Sequence, residues 1–371
     1  MDVLWLNLPT SLWWLIFHRL DLLDRLRFRA VCLLFRSIAS QTQPLRLSPV
    51  LLLLPPTKDS DTGEFFSLAD HHTYKTHLPQ LRNKWVCGSS FGWVFTIDFK
   101  SGEISLLNPI TKAQISLPPL PAFTDPPELE GEEFERNDVW FIEKATISKD
   151  PSTSSDFIVM VIFTYAWVLA FCKPGDGKWT NLKRVEGPCE DVVYYKDKFY
   201  AMTNWGALVT WDLSDVNDPK ETVILSENEE PPLRPYLVVS NRGELFRVCR
   251  NVERDEKEEG DELRDENYYR TLGFVNFKLD EENKRWVLGC ICEQAFFVGH
   301  NRGICMWTKE HPEFRERCVY FTDDNAERYF ENPYGCNDVG VFNLDDGSVE
   351  KFYPNHPFWT NPCIWFTPNP R

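Results

Sequence analysis

The chain has 371 residues, with 56 Asp and Glu against 40 Lys and Arg and a formal charge of −16. That balance argues against a nucleic-acid binder, because neutralising phosphates takes a concentrated Lys/Arg face. Fourteen Trp, 26 Pro and 18 Gly spread along the sequence suit many short strands separated by turns, so the fold class is mainly β.

The N-terminal stretch "SLWWLIFHRLDLLDRLRFRAVCLLF" (11–35) departs from this character. Two runs of six apolar residues, Leu12–Phe17 and Ala30–Phe35, each cover the whole circumference of a helix. Pro9 suits the first turn of a helix whose main apolar face is Leu12, Leu15, Ile16 and Leu20. Asp21 can cap a second helix carrying Leu22, Leu23 and Leu26, and a third is predicted from about Arg29 to Ser40. Residues 1–47 hold six Arg against three Asp, so this segment is positive while the rest is near −19, and an acidic partner is expected for it. Its acidic start and Pro9 do not fit a signal peptide, and no apolar run reaches membrane-spanning length, so no membrane partner is expected.

From Pro49 the pattern becomes short strands joined by turn chemistry: "WVFTID" and "ISLLNP" around "FKSG", "DVVYY" and "KFYAM" around "KD", "YLVVS" and "ELFRVCR" around "NRG". These strands group into about six units, 49–80, 85–120, 138–182, 189–226, 234–290 and 294–353. Such degenerate repetition predicts a six-bladed β-propeller, with a large sandwich as the alternative. "CIWFTP" (363–368) is placed to add a strand to the first unit and close the ring. Two acidic stretches, 126–138 and 251–267, fall between strands and read as solvated loops or as electrostatic recognition loops.

Sites of chemistry are sparse. "PGDGKW" (174–179) lacks the Lys-Ser/Thr of a phosphate loop and reads as a hairpin turn. His71, His72 and His77 fall in a predicted loop without ligands at metal spacing, so no metal is expected. Eleven scattered Cys with no CxxC predict reduced thiols in an intracellular compartment. Cys290 and Cys292 are expected on one face of a strand as buried small hydrophobes. Most Trp residues read as packing between blades, and Trp205, Arg242 and Arg302 in loops are the candidates for a recognition surface.

Residues 6–40, "LNLPTSLWWLIFHRLDLLDRLRFRAVCLLFRSIAS", resemble the F-box: a Leu-Pro start, apolar helical positions, an Asp-x-x-x-x-Arg middle and a Val-Cys-x-x-aromatic end. The remainder resembles the plant F-box-associated domain formerly called domain of unknown function 295, now the kinase-interacting KIB-type β-propeller. "CGSSFGWVFTID", "SLLNPITKAQISLPPL", "DVVYYKDKFYAM", "YLVVSNRGELFRVCR", "DVGVFNLDDGSVEKFYP" and "IWFTP" carry that resemblance in the expected order. The division is then 1–47 for a helical F-box and 48–371 for the propeller.

The resemblance implies a non-catalytic substrate receptor of a Skp-cullin-F-box ubiquitin ligase, without cofactor, working in nucleus or cytoplasm. Leu8, Pro9, Leu12, Ile16, Leu20, Leu26, Val31, Cys32 and Phe35 would face the Skp adaptor, and through it cullin. Substrates of some propeller relatives are kinases like glycogen synthase kinase 3. The sequence departs from the F-box pattern at Trp13 in place of the second paired Leu, Trp14 in place of an acid, Phe35 in place of Trp, and Leu33–Leu34. The alternative is a propeller interaction module whose F-box no longer docks.

Overall fold

The computed structural model describes residues 8–20, 22–41, 51–54, 60–69, 71–98, 100–119, 142–163, 168–182, 187–226, 234–254, 269–324, 338–351 and 363–369. Three helices open the chain: α1 (Thr10–Arg19), α2 (Leu22–Val31) and α3 (Leu33–Gln41). Pro9 precedes α1, where its missing N–H leaves nothing unsatisfied, and its carbonyl accepts from Leu12 N at 2.9 Å. The third helix begins later than expected, because α2 continues through Arg29 to Val31 and the chain breaks at Cys32.

The buried face of α1 also differs from the expected one. Trp13 and Phe17, one turn apart, go inside with Phe28, Ile38 and Ala39, while Ile16, Leu20, Leu8 and Phe35 pack half-buried at the edge. Leu12 and Leu15 stay outside. A helix with apolar residues all round can bury only one stripe against its neighbours, and the two aromatic rings remove more area from water than two leucines would.

Beyond the helices the described strands form six sheets in chain order. Blade 1 holds Leu51–Leu54, Thr62–Ser67 and His72–His77, and takes Ile364–Phe366 from the C-terminus as its inner strand. Blades 2 to 5 are antiparallel meanders of four strands, with inner strands Lys84–Ser90, Ile142–Ile147, Cys189–Tyr195 and Pro235–Val239. Inner strands of successive blades touch one another around the centre. Five of the six sheets are thus regular four-stranded units.

The sixth departs from the meander. Gln294–Val298 pairs antiparallel with Ile304–Trp307 on its inner side and parallel with Cys318–Phe321 on its outer side, followed by Gly340–Asn343 and Val349–Glu350. A parallel pair needs a crossover, and here Ile304–Trp307 with residues 308–317 supplies it. The expected loop holding the histidines is another difference, since His72–His77 is the outer strand of blade 1, reached by α2 through Arg27 and Thr76.

Ring closure runs through Ile364–Phe366, which pairs antiparallel with Leu51–Leu53 as the sequence suggested. Trp365 is fully buried; its indole donates to Val298 O at 2.9 Å, its backbone N–H to Asn301 Oδ1 at 3.1 Å, and its carbonyl accepts from Ser89. One residue therefore ties blade 1 to blades 2 and 6. The tail continues onto the turn of blade 2, where Asn369 Nδ2 donates to Phe91 O at 2.9 Å. Gly92 in that turn has φ +79°, and a Cβ there would strike the Asn369 backbone nitrogen at 2.7 Å, so a side chain would expel the tail.

Candidate functional site

Twelve large apolar side chains are exposed among the described residues, and six of them, Leu12, Trp14, Leu15, Val31, Leu33 and Leu34, fall within 23 residues of the helical segment. The other six are scattered over the propeller, so exposed apolar surface is concentrated on the helices. Of the positions singled out from sequence, Pro9, Leu12 and Val31 are exposed, and Leu8, Ile16, Leu20, Cys32 and Phe35 are half-buried. Leu26 lies in α2, and its side chain is outside those described.

The sequence departures at Trp13 and Phe35 belong together. Their rings lie 4.4 Å apart, and Phe35 also stacks on Phe28 at 4.2 Å and 5°. A larger residue at position 13 thus fills the volume that a Phe in place of Trp at position 35 would leave, which is a volume-conserving exchange of the kind cores accept. Trp14, Leu33 and Leu34 add to the exposed apolar surface.

A second feature is a buried charge network that joins blades 3 to 6 near the starts of their inner strands. The third residues of successive inner strands lie level: Lys144 Nζ is 3.1 Å from Asp191 Oδ1, and Asp191 Oδ2 accepts from Leu237 N at 2.7 Å. Lys144 also lies 4.8 Å over the Tyr236 ring. Next to this layer Asp324 pairs with Arg234 and accepts from the Tyr236 hydroxyl. Burial alone would raise the Asp324 carboxyl, but Arg234 and Arg250 hold it well below the usual carboxylate range.

Arg250, fully buried, is the hub of the network. It donates to Asp338 Oδ2 at 2.9 Å, Asp324 Oδ1 at 3.2 Å, Thr322 O at 2.9 Å and Thr271 Oγ1 at 2.8 Å. Thr271 returns two bonds to the same Asp338 oxygen, at 2.8 and 2.7 Å. Every donor of this guanidinium is aimed at blade 6 or at its own sheet, so it locks blades 5 and 6 together.

Two glutamates lie beside this network. The pairing register skips one residue at Cys87, Glu143 and Glu190, near the middle or start of three successive inner strands. Such bulges re-aim a side chain out of the sheet's alternation. Glu143 and Glu190 are thereby half-buried beside Arg234, Lys144 and Asp324. Burial pushes the Glu143 carboxyl up to about 7, opposed by Arg234 and Lys144 and reinforced by Asp324 and Glu190. The buried His300 imidazole, edge-on to Trp85, has no hydrogen-bond partner among the described residues, and burial draws it down to about 4.

These two groups give opposite pH slopes. Folded Glu143 binds its proton more tightly than the unfolded chain does, so its contribution to stability falls as pH rises from the ordinary carboxylate range through about 7. Folded His300 releases its proton more readily, so its contribution grows as pH rises from about 4 through its ordinary 6.5. We expect Glu143→Gln to remove the first slope. The variant should gain stability over wild type above about pH 7, and should show a clear rise in stability between about pH 4 and 6.5, read by urea denaturation across that range.

The three recognition candidates do not converge. Trp205 occupies the second turn of blade 4, over Gly187, where Asn204 N donates to Pro188 O at 2.9 Å. Arg242 lies in the first turn of blade 5, 5.2 Å over Trp307 and paired with Glu293. Arg302 is half-buried 5.0 Å over Phe91 in the first turn of blade 2. Of the three, Trp205 is 45% exposed. Sequence reasoning missed Glu143, Glu190, Arg234, Arg250, Asp324 and His300; the available signal was charge inside strand-like runs, as in "IEKATI" and "CEDVVYY".

"PGDGKW" is a turn, with Asp176 N donating to Lys173 O at 3.1 Å. Among the described residues no group of His, Cys, Asp and Glu is arranged to hold a metal. Acidic stretch 126–138 lies outside the described residues, and of 251–267 only 251–254 are described, as the end of strand Leu245–Arg254. No described helix is long and apolar enough to cross a membrane.

Residues 65–343 match the KIB1-4 beta-propeller family and residues 5–47 the F-box domain. From Arabidopsis thaliana, putative F-box protein At5g55150 is 27% identical over 90% of this chain and 83% of its own length, and probable F-box protein At4g22165 is 24% identical over 94% and 92%. F-box protein SKIP23 of the same plant is 24% identical over 99% and 96%. An apolar helical face on a closed propeller, matched along its length by these relatives, makes the chain a plant F-box protein of the KIB1-4 β-propeller family.

Proposed function

We propose that the protein is a substrate receptor of a Skp-cullin-F-box ubiquitin ligase. The observation that carries this reading is the crowding of Leu12, Trp14, Leu15, Val31, Leu33 and Leu34 on the outside of a small helical unit that already has its own core. Exposed apolar surface concentrated in this way marks a site where a partner docks. The surplus of Arg over Asp in residues 1–47 suits an acidic adaptor.

In this mechanism the protein makes and breaks no bonds. The helices tether it to adaptor and cullin, the propeller holds the substrate, and ubiquitin transfer gains from the raised local concentration of the substrate. The propeller surface around Glu143, Glu190 and Arg234 is the one we assign to the substrate, a protein that by family resemblance includes kinases of the glycogen synthase kinase 3 type. Nucleus or cytoplasm is the expected place of work. The packing of Trp13 on Phe35 favours this reading over a degenerate F-box, because the altered residues compensate each other rather than unravel the unit.

The test is substrate trapping. Wild type and Leu12→Asp are expressed with the proteasome blocked, and ubiquitinated partners are compared. The reading expects proteins that bind both forms but carry ubiquitin chains only with wild type. Identical ubiquitination with both forms would refute it.

A further inference from the structure

The expectation of buried, strand-borne Cys290 and Cys292 is overturned. They lie in the crossover between strand Arg285–Leu288 of blade 5 and strand Gln294–Val298 of blade 6, joined by a disulfide. Cys290 is exposed and Cys292 half-buried, while Ile291 between them is buried in the core with Tyr236, Phe246 and Phe296. The Arg317 guanidinium lies 3.8 Å from one sulfur and 3.6 Å from the other.

A bond across a single residue closes a loop of three, so it constrains the unfolded chain far less than a long-range bridge, and holding the fold together is a poor account of it. Exposure together with a cation over both sulfurs is what makes a thiol reactive, by favouring the thiolate. The described free cysteines other than Cys32 are buried, and burial pushes Cys87, Cys189 and Cys305 up to about 12.

We propose that Cys290 and Cys292 form a reversible redox-modification site, activated by Arg317, that closes on reaction with a peroxide and opens with a dithiol reductant. The exposed Cys290 thiolate attacks one peroxide oxygen; the O–O bond breaks, leaving a sulfenic acid on Cys290 and a hydroxide that takes a proton to become water. The Cys292 sulfur then attacks the Cys290 sulfur. The S–S bond forms as the S–O bond breaks, and the departing hydroxide takes the Cys292 proton as a second water. Two electrons have passed from the sulfurs to the peroxide. On reduction, a dithiol supplies two electrons and two protons and becomes a disulfide itself.

The crossover gives this chemistry a structural consequence. Glu293, next to Cys292, pairs with Lys309 and with Arg242, and its carbonyl accepts from Thr308 N at 3.0 Å. The disulfide borders the turn that presents this carboxylate.

The test uses the full chain treated with dithiothreitol or with hydrogen peroxide, pulse-labelled in the folded state with N-ethylmaleimide, and digested for mass spectrometry. The peptide containing both cysteines should carry two labels after dithiothreitol. After peroxide it should carry none, be two hydrogens lighter, and regain both labels on renewed reduction. Arg317→Gln should slow the peroxide-driven loss of label by about threefold or more at neutral pH. Two labels after peroxide, a loss that dithiothreitol does not reverse, or no label after dithiothreitol would each overturn the proposal, and an unchanged rate in Arg317→Gln would overturn the assignment of Arg317. Peptides holding Cys87, Cys189 and Cys305 should stay unlabelled throughout.

Discussion

Replacing Arg250 by Met lowers folding stability by about 3–5 kcal/mol at neutral pH, the range for removing one partner of a buried charge network. Methionine keeps most of the volume, so the loss is electrostatic: the Asp338 and Asp324 carboxylates remain buried without the guanidinium that bonds to both. The pH dependence separates this from a packing defect. In wild type the Asp324 carboxyl is held below its unfolded value, so its stabilisation is complete above the ordinary carboxylate range and is lost as pH falls through its lowered folded value. In the variant that acid-side slope shrinks, and the penalty is smaller in acid than at neutrality. Arg250→Lys should recover only part of the loss, because a single ammonium cannot span Asp324, Asp338, Thr271 and Thr322. Equilibrium urea denaturation measures all three proteins.

Trp365→Ala costs about 3–5 kcal/mol for a different reason. The indole packs 5.1 Å from the Phe297 ring, nearly perpendicular, and donates to Val298 O. Its removal leaves a cavity where the two ends of the propeller meet, so loss of cooperativity in the unfolding transition should accompany the loss of stability. Trp365→Phe refills part of the volume without the donor and should fall between Ala and wild type. Trp205→Ala provides the control: that ring is exposed, and its truncation should change stability by about 0.5 kcal/mol or less.

What the sequence revealed and what it hid follow from the range of the interactions concerned. Turns such as "NRG" and "KD" are local, and the strands beside them, Pro235–Val239 with Leu245–Arg254 and Cys189–Tyr195 with Lys198–Thr203, stand close to where turn chemistry put them. Ring closure was legible because "CIWF" is a strand-like run left over once the six units are grouped. The Arg250 network was not, since its partners lie up to 88 residues away along the chain. Glu143 and Glu190 were hidden by bulges, which shift the alternation of inside and outside by one residue. On α1 two apolar stripes competed, and periodicity alone could not say that Trp13 and Phe17 would win the interior and leave Leu12 and Leu15 outside.

The exposed helical face carries the functional account, and its direct test is a titration of the purified full chain with a plant Skp-type adaptor. Wild type is expected to bind, and Leu12→Asp and Leu33→Asp, which alter exposed side chains, should each weaken binding by about a hundredfold or more while leaving the melting temperature unchanged. Trp13→Ala should instead lower the melting temperature, since that ring fills the core of the helical unit. Failure of wild type to bind at about 10 µM adaptor, or binding by both Asp variants as tight as wild type, would contradict the account.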